Sequence, residues 1–85
     1  MTYALISTSN FLRGLKRLSR DDQLRARETL KEIVQEPYSF KQLRARYQDL
    51  RSARFGNHRI LYSIKEDEKE IVLFALEPRS QVYQR

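Results

Sequence analysis

Arg54, Arg59, Arg79 and Tyr83 are the residues of this chain whose types and spacing could do chemistry. The first two flank a Gly56-Asn57 turn, and the last two lie four residues apart near the end of the sequence. A guanidinium presents a planar fork that matches a phosphate in a bidentate contact and stabilises charge building on it. RNA carries its own nucleophile, the 2′-OH beside each phosphate. Cleavage therefore needs that oxygen aligned and deprotonated, the pentavalent phosphorane stabilised, and the leaving 5′-oxygen stabilised. A tyrosine can take or give a proton in such a step only where positive charge lowers its pKa, and three arginines supply that field. Other designs lack their parts: there is no cysteine nucleophile, no glycine-rich phosphate loop, and no nucleophile-elbow motif to accompany His58, the single histidine. By strand alternation His58 points away from the face of Arg59, which gives it a packing role.

Charge is concentrated around the first pair. Between positions 41 and 59 lie Lys41, Arg44, Arg46, Arg51, Arg54 and Arg59, with Asp49 as the only acid. Most of the formal net charge of +6 sits there, and arginine outnumbers lysine across the chain by twelve to five. Tyr38, Phe40, Tyr47 and Phe55 are interleaved. Arginines with aromatics offer phosphate contacts and stacking surfaces for unpaired bases. A solvated loop with its aromatics turned inward would carry the same residues, but their clustering favours a binding surface for RNA or the ribosome, with Lys41, Arg44, Arg46 and Arg51 as its candidates. The absence of cysteine excludes disulfides and thiolate metal sites, and with one histidine neither a metal nor another cofactor is expected. No apolar run approaches the ~20 residues that span a bilayer. The opening Met1-Thr2-Tyr3-Ala4-Leu5-Ile6 lacks the charged region and long apolar stretch of a signal peptide, so a soluble cytoplasmic protein is expected.

The elements that must position these residues read as one α+β domain over 1–85. Residues 2–7 form a strand. Ser7, Thr8, Ser9 and Asn10 offer caps for a first helix carrying Phe11, Leu15 and Leu18 at helical spacing, with Gly14 inside it at a cost of about 1 kcal/mol unless it permits close packing. Ser19 or Asp21 caps a second helix running to about Glu36, with Ala26, Leu30, Ile33 and Val34 as its stripe and Leu24 near its start. Pro37 ends it. A strand then enters the Gly56-Asn57 turn, a second runs from 58 to 64 in strict alternation, and Ile71-Val72-Leu73-Phe74-Ala75-Leu76 reads as a central strand buried on both faces, paired antiparallel with 58–64. The order is β-α-α-β-β-β: a helical hairpin on one face of a small, largely antiparallel, twisted sheet, with the basic window lining the opposite, partly open face.

Arg54-Phe55-Gly56-Asn57-His58-Arg59-Ile60-Leu61-Tyr62 and Pro78-Arg79-Ser80-Gln81-Val82-Tyr83, together with Tyr3-Ala4-Leu5-Ile6, the Phe11…Leu15-Lys16-Arg17-Leu18 helix and Pro37, resemble the RelE/ParE superfamily of toxins from type II toxin–antitoxin pairs, in particular its RelE-like mRNA endonucleases. The likeness covers essentially the whole chain. It implies a microbial-RNase-like fold, ribosome-dependent cleavage of A-site mRNA without a metal, and neutralisation by a cognate antitoxin. It also implies roles: Arg54 as the basic residue assisting from the strand before the turn, Arg59 on the phosphate and its transition-state charge, Arg79 at the leaving oxygen, and Tyr83 orienting or stacking on substrate with proton transfer as a further role. Where some members carry two alternating lysines before the turn, this chain has Ser52 and Arg54. Arginine stays protonated, so Arg54 does not stand in for a lysine as general base, and the identity of the base is left open. Two alternatives remain on the same fold: a ParE-like poison of DNA gyrase that performs no catalysis, and a degenerate member that only binds its antitoxin. The antitoxin would be acidic and partly disordered when free, folding over the basic face.

Overall fold

Thr8 and Ser19 decide where the helices begin. In the computed structural model, which describes residues 2–43 and 49–78, Thr8 accepts the Phe11 amide at 3.1 Å and opens α1 (Ser9–Lys16). Its hydroxyl also lies 3.0 and 2.9 Å from the carbonyl oxygens of Leu73 and Phe74. Of the four expected caps, Thr8 is thus the one that also ties the helix to a strand. Ser19 accepts the Asp22 amide at 3.1 Å and opens α2 (Arg20–Gln35), with Asp21 and Asp22 in the first turn where the helix dipole favours them.

The strands are β1 (Ala4–Ser7), β2 (Lys41–Gln42), β3 (Arg51–Phe55), β4 (His58–Lys65) and β5 (Glu70–Pro78), with short 3₁₀ turns at Pro37–Ser39 and Glu66–Glu68. They form one sheet in the order β1-β5-β4-β3-β2. β1 runs parallel to β5, and the other pairings are antiparallel. The α+β hairpin-on-sheet layout is as expected from the sequence. The sheet has one more strand than expected, because Lys41 and Gln42 pair with Ser52 and Arg51 as a short edge.

The core lies between the helices and one face of the sheet. Phe11, Ala26 and Ile33 from the helices meet Ala53, Phe55, Ile60, Tyr62, Ile71, Leu73 and Leu76. On α2 the buried stripe is Ala26, Thr29 and Ile33. Leu24 does not join it: it stands roughly 200° around the helix from Ala26 and is 54% exposed. Gly14 is where α1 touches β5, since a Cβ there would stand 2.5 Å from the Leu76 carbonyl oxygen. The Tyr62 hydroxyl donates to the Pro37 carbonyl at 2.6 Å, fastening the end of α2 to the sheet, and burial pushes its pKa up to about 12. Tyr62→Phe is expected to cost about 1 kcal/mol, rising to ~3 if the buried carbonyl finds no other donor. A thermal melt should show a fall of several degrees at unchanged fold.

β5 departs from the expectation that it is buried on both faces. Ala75 opposes Leu61 and Leu73 opposes Tyr62, so Phe74 is the extra residue of a β-bulge. It is 44% exposed.

At the far end of the sheet, Glu66 accepts hydrogen bonds from the hydroxyls of Tyr3 and Tyr38, both at 2.8 Å, and pairs with Lys69. Lys69, then Tyr38 and Tyr3, hold its pKa down, from 4.5 to about 2. A carboxylate depressed by folding stabilises the native state above its ordinary pKa and loses that contribution as pH falls through the native value. The expected result is a wild type that melts above Glu66→Gln at neutral pH, with the gap closing between about pH 4.5 and 2. The network is solvent-exposed, so screening keeps the gap small; a gap that widens on acidification would contradict this assignment.

Among the described residues, no helix is long and apolar enough to cross a membrane.

Candidate functional site

The β3–β4 hairpin closes through Gly56 at φ +54, a conformation that side-chain-bearing residues avoid, followed by Asn57. That tight turn sets the register. Arg54 stands directly across from Arg59, and Arg59 directly across from Glu77 on β5. The three residues form one row over three adjacent strands. Partners in register share a face of the sheet, and this row lies opposite the core-facing residues Ala53, Phe55, Ile60 and Leu76. Arg54 is exposed, while Arg59 and Glu77 are half-buried.

The row's electrostatics are uneven. Two like charges directly opposite in a sheet cost roughly 0.2–1 kcal/mol, which a bound anion would reverse. Arg59 is partly withdrawn from water, which strengthens any contact its guanidinium makes with an anion. Glu77 is held above its ordinary pKa by burial, with Arg59 pulling the other way. Its Oε1 is buried and finds no hydrogen-bond donor among the described residues. Glu77 also lines a cleft of about 230 Å³ between β5 and α1, opposite Asn10, Arg13, Gly14 and Arg17.

The basic window divides between the two faces. Lys41 pairs with Ser52 and is exposed on the outer face with Arg54 and Arg59. Arg51 pairs with Tyr62 and therefore faces the helix side, contrary to the expectation that the whole window lines the open face. Its guanidinium donates to the carbonyls of Phe40 at 2.8 Å and Tyr38 at 3.2 Å and sits 5.2 Å over the Tyr38 ring. The outer face is itself only partly open, since the next row, Ser52, Leu61 and Ala75, is buried. Arg44, Arg46, Arg79 and Tyr83, with Tyr47, lie outside the described residues.

His58 turns to the helix side. It stacks on Phe55 with ring centroids 5.5 Å apart, and its Nδ1 is 4.0 Å from a carboxylate oxygen of Asp22. Among the described residues, no group of three His, Cys, Asp or Glu side chains is placed to hold a metal ion. Glu77 is the member of the row that sequence reasoning missed. Only the pairing of β4 with β5 reveals it, and the bulge at Phe74 displaces that pairing.

A family model described as the ParE toxin of type II toxin–antitoxin systems, parDE, matches residues 5–83. No curated protein matches. Among solved structures, the chain is similar to a RelBE toxin–antitoxin complex from Mycobacterium tuberculosis, with TM-score 0.84 and 26% identity over 93% of this chain and 100% of that one. It is likewise similar to the archaeal RelE–RelB complex from Pyrococcus horikoshii, with TM-score 0.75 and 27% identity over 96% and 100%. The isolated E. coli RelE toxin shares the fold, with TM-score 0.78 at 13% identity over 94% and 87%.

Proposed function

The chain belongs to the RelE/ParE superfamily of toxins from type II toxin–antitoxin systems, and from that membership we propose that it is a ribosome-dependent endoribonuclease that cleaves mRNA by 2′-OH attack and so arrests translation. The observation that carries this reading is the Arg54–Arg59 cross-strand pair on the face away from the helices. Two guanidiniums held across one hairpin can grip a single scissile phosphate, and a bound anion offsets their mutual repulsion. Arg59, the more buried of the two, takes the transition-state charge, and Arg54 adds a second contact. Arg79 stabilises the leaving oxygen and Tyr83 orients the base, in the roles that the resemblance implies. Lys41, Arg44 and Arg46 meet backbone phosphates. Arg51, committed to the carbonyls of Tyr38 and Phe40, contributes by holding β3 to the segment after α2.

The partner proposed for the free toxin is a cognate antitoxin. The similar structures from M. tuberculosis and P. horikoshii are toxin–antitoxin complexes, and an acidic segment would neutralise a basic surface and block substrate entry together.

A second reading rests on the matching family's own description as ParE toxin: a protein that poisons DNA gyrase without catalysis. One experiment separates them. The purified protein is added to a reconstituted translation system, with cuts mapped by primer extension, and in parallel to a gyrase supercoiling reaction. Cuts inside ribosome-bound codons with unaffected supercoiling are the expected result. Blocked supercoiling with intact message would replace the nuclease by the gyrase poison.

A further inference from the structure

A carboxylate oxygen buried without a donor is costly, and native structures rarely retain one without a use. Among the described residues Glu77 Oε1 is such an oxygen, and it belongs to the residue directly across from Arg59. Building on the nuclease reading, we propose that Glu77 is the general base of the cleavage reaction, accepting the proton of the attacking 2′-OH beside the phosphate held by Arg59 and Arg54.

Three features of the site support this assignment. The first is position: Glu77 adjoins the arginine best placed for the phosphate, so a base and a phosphate ligand lie one strand apart, about the 4.7–4.9 Å that separates neighbouring strands. The second is access. Glu77 is half-buried and is the residue that the Arg54–Arg59–Glu77 row shares with the cleft against α1, so the residue borders open space although Oε1 itself is buried. The third is chemistry. The alternatives in the row are guanidiniums, which do not give up their protons. A carboxylate whose pKa burial has raised is a stronger base than a solvated one. The titratable and charged groups around it are Arg59 and then Arg54 along the row and Arg13 and Arg17 across the cleft, with His58 and Asp22 beyond on the helix side of the sheet. Of these, Arg59 acts against the effect of burial on the Glu77 carboxylate.

The step balances without another reagent. Glu77 takes the 2′-OH proton as that oxygen bonds to phosphorus. The bond from phosphorus to the 5′-oxygen breaks, and the departing oxygen takes a proton from water. The upstream fragment ends in a 2′,3′-cyclic phosphate.

The test is single-turnover cleavage of message on programmed ribosomes by the full chain, from pH 5 to 8, for wild type, Glu77→Gln and Glu77→Asp, with ribosome affinity and melting temperature measured for each. Glu77→Gln is expected to cleave about a hundredfold more slowly or worse, at ribosome affinity within about threefold of wild type, and to lose the acid limb of the pH–rate profile. Glu77→Asp is expected to keep that limb. Glu77→Gln cleaving at near wild-type rate with the limb intact would overturn the assignment. A wild type that leaves ribosome-bound message intact would overturn the nuclease reading itself, a failure visible before any variant is compared.

Discussion

Arg59→Ala is expected to lower the rate of message cleavage by two to three orders of magnitude while leaving ribosome binding nearly unchanged. A preorganised donor aimed at developing charge is worth about 10²–10³ in rate, and Arg59 has the setting for it: half-buried, on a strand held between β3 and β5, opposite a second arginine. Arg59→Lys should fall between wild type and alanine, because it keeps the charge and loses the fork. The variant should also move its neighbour. Arg59 is the group that lowers the Glu77 pKa against burial, so removing it should raise that pKa further and shift the acid limb of any residual activity to higher pH. Relieved repulsion with Arg54 and the lost compensation of Glu77 act on stability in opposite directions. An Arg59→Ala protein with wild-type melting temperature and a loss of only threefold would show that the phosphate is held elsewhere.

Gly14→Ala should be destabilising by several degrees of melting temperature, opposite in sign to the usual effect of this substitution within a helix. Replacing a helical glycine ordinarily stabilises by about 0.5–1 kcal/mol. Here the new methyl carbon would stand 2.5 Å from the Leu76 carbonyl oxygen and 3.2 Å from its Cβ. The obstacle is backbone, so α1 must lift from β5. Overpacking of this kind costs about 1–3 kcal/mol, and ~1 kcal/mol corresponds to roughly 4–8 °C in a domain of this size. The strand that α1 would lift from carries Glu77, so cleavage should fall with stability, and activity measured well below the melting temperature would expose the second effect. A Gly14→Ala protein that melts at or above wild type would mean that α1 approaches β5 less closely than described.

The contrast between Gly14 and Glu77 shows which physics a linear sequence carries. Helix stripes, caps and the Gly56-Asn57 turn are local, and they were legible from spacing alone. The turn placed Arg54 and Arg59 across from each other, since a short hairpin fixes its own register. The glycine within α1 was recognisable as a candidate for close packing, but its contact on β5, Leu76, is far away in the sequence. Glu77 was hidden by a subtler cause. Carrying the Lys65–Glu70 pairing along β4 and β5 without interruption sets Leu76 opposite Arg59. The bulge at Phe74 moves the register by one residue, which exchanges an apolar neighbour for a carboxylate and flips every following side chain to the other face. Phe74 sits in an apolar run with no glycine or proline to mark a break. Arg51 has a related explanation: its charge placed it in the binding window, whereas its register with Tyr62 turned it toward the carbonyls of Tyr38 and Phe40.

The most direct measurement of the central claim is the chemistry of the message ends. Ribosomes stalled on a defined codon are treated with the toxin, and the upstream RNA fragment is analysed by mass spectrometry. Side-chain-assisted attack by the 2′-OH leaves a 2′,3′-cyclic phosphate, or the 3′-phosphate that its hydrolysis gives, on a fragment ending within the stalled codon. Intact message, or fragments ending in a free 3′-hydroxyl, would contradict the assignment of the Arg54–Arg59–Glu77 row as the centre of an RNA-cleaving site.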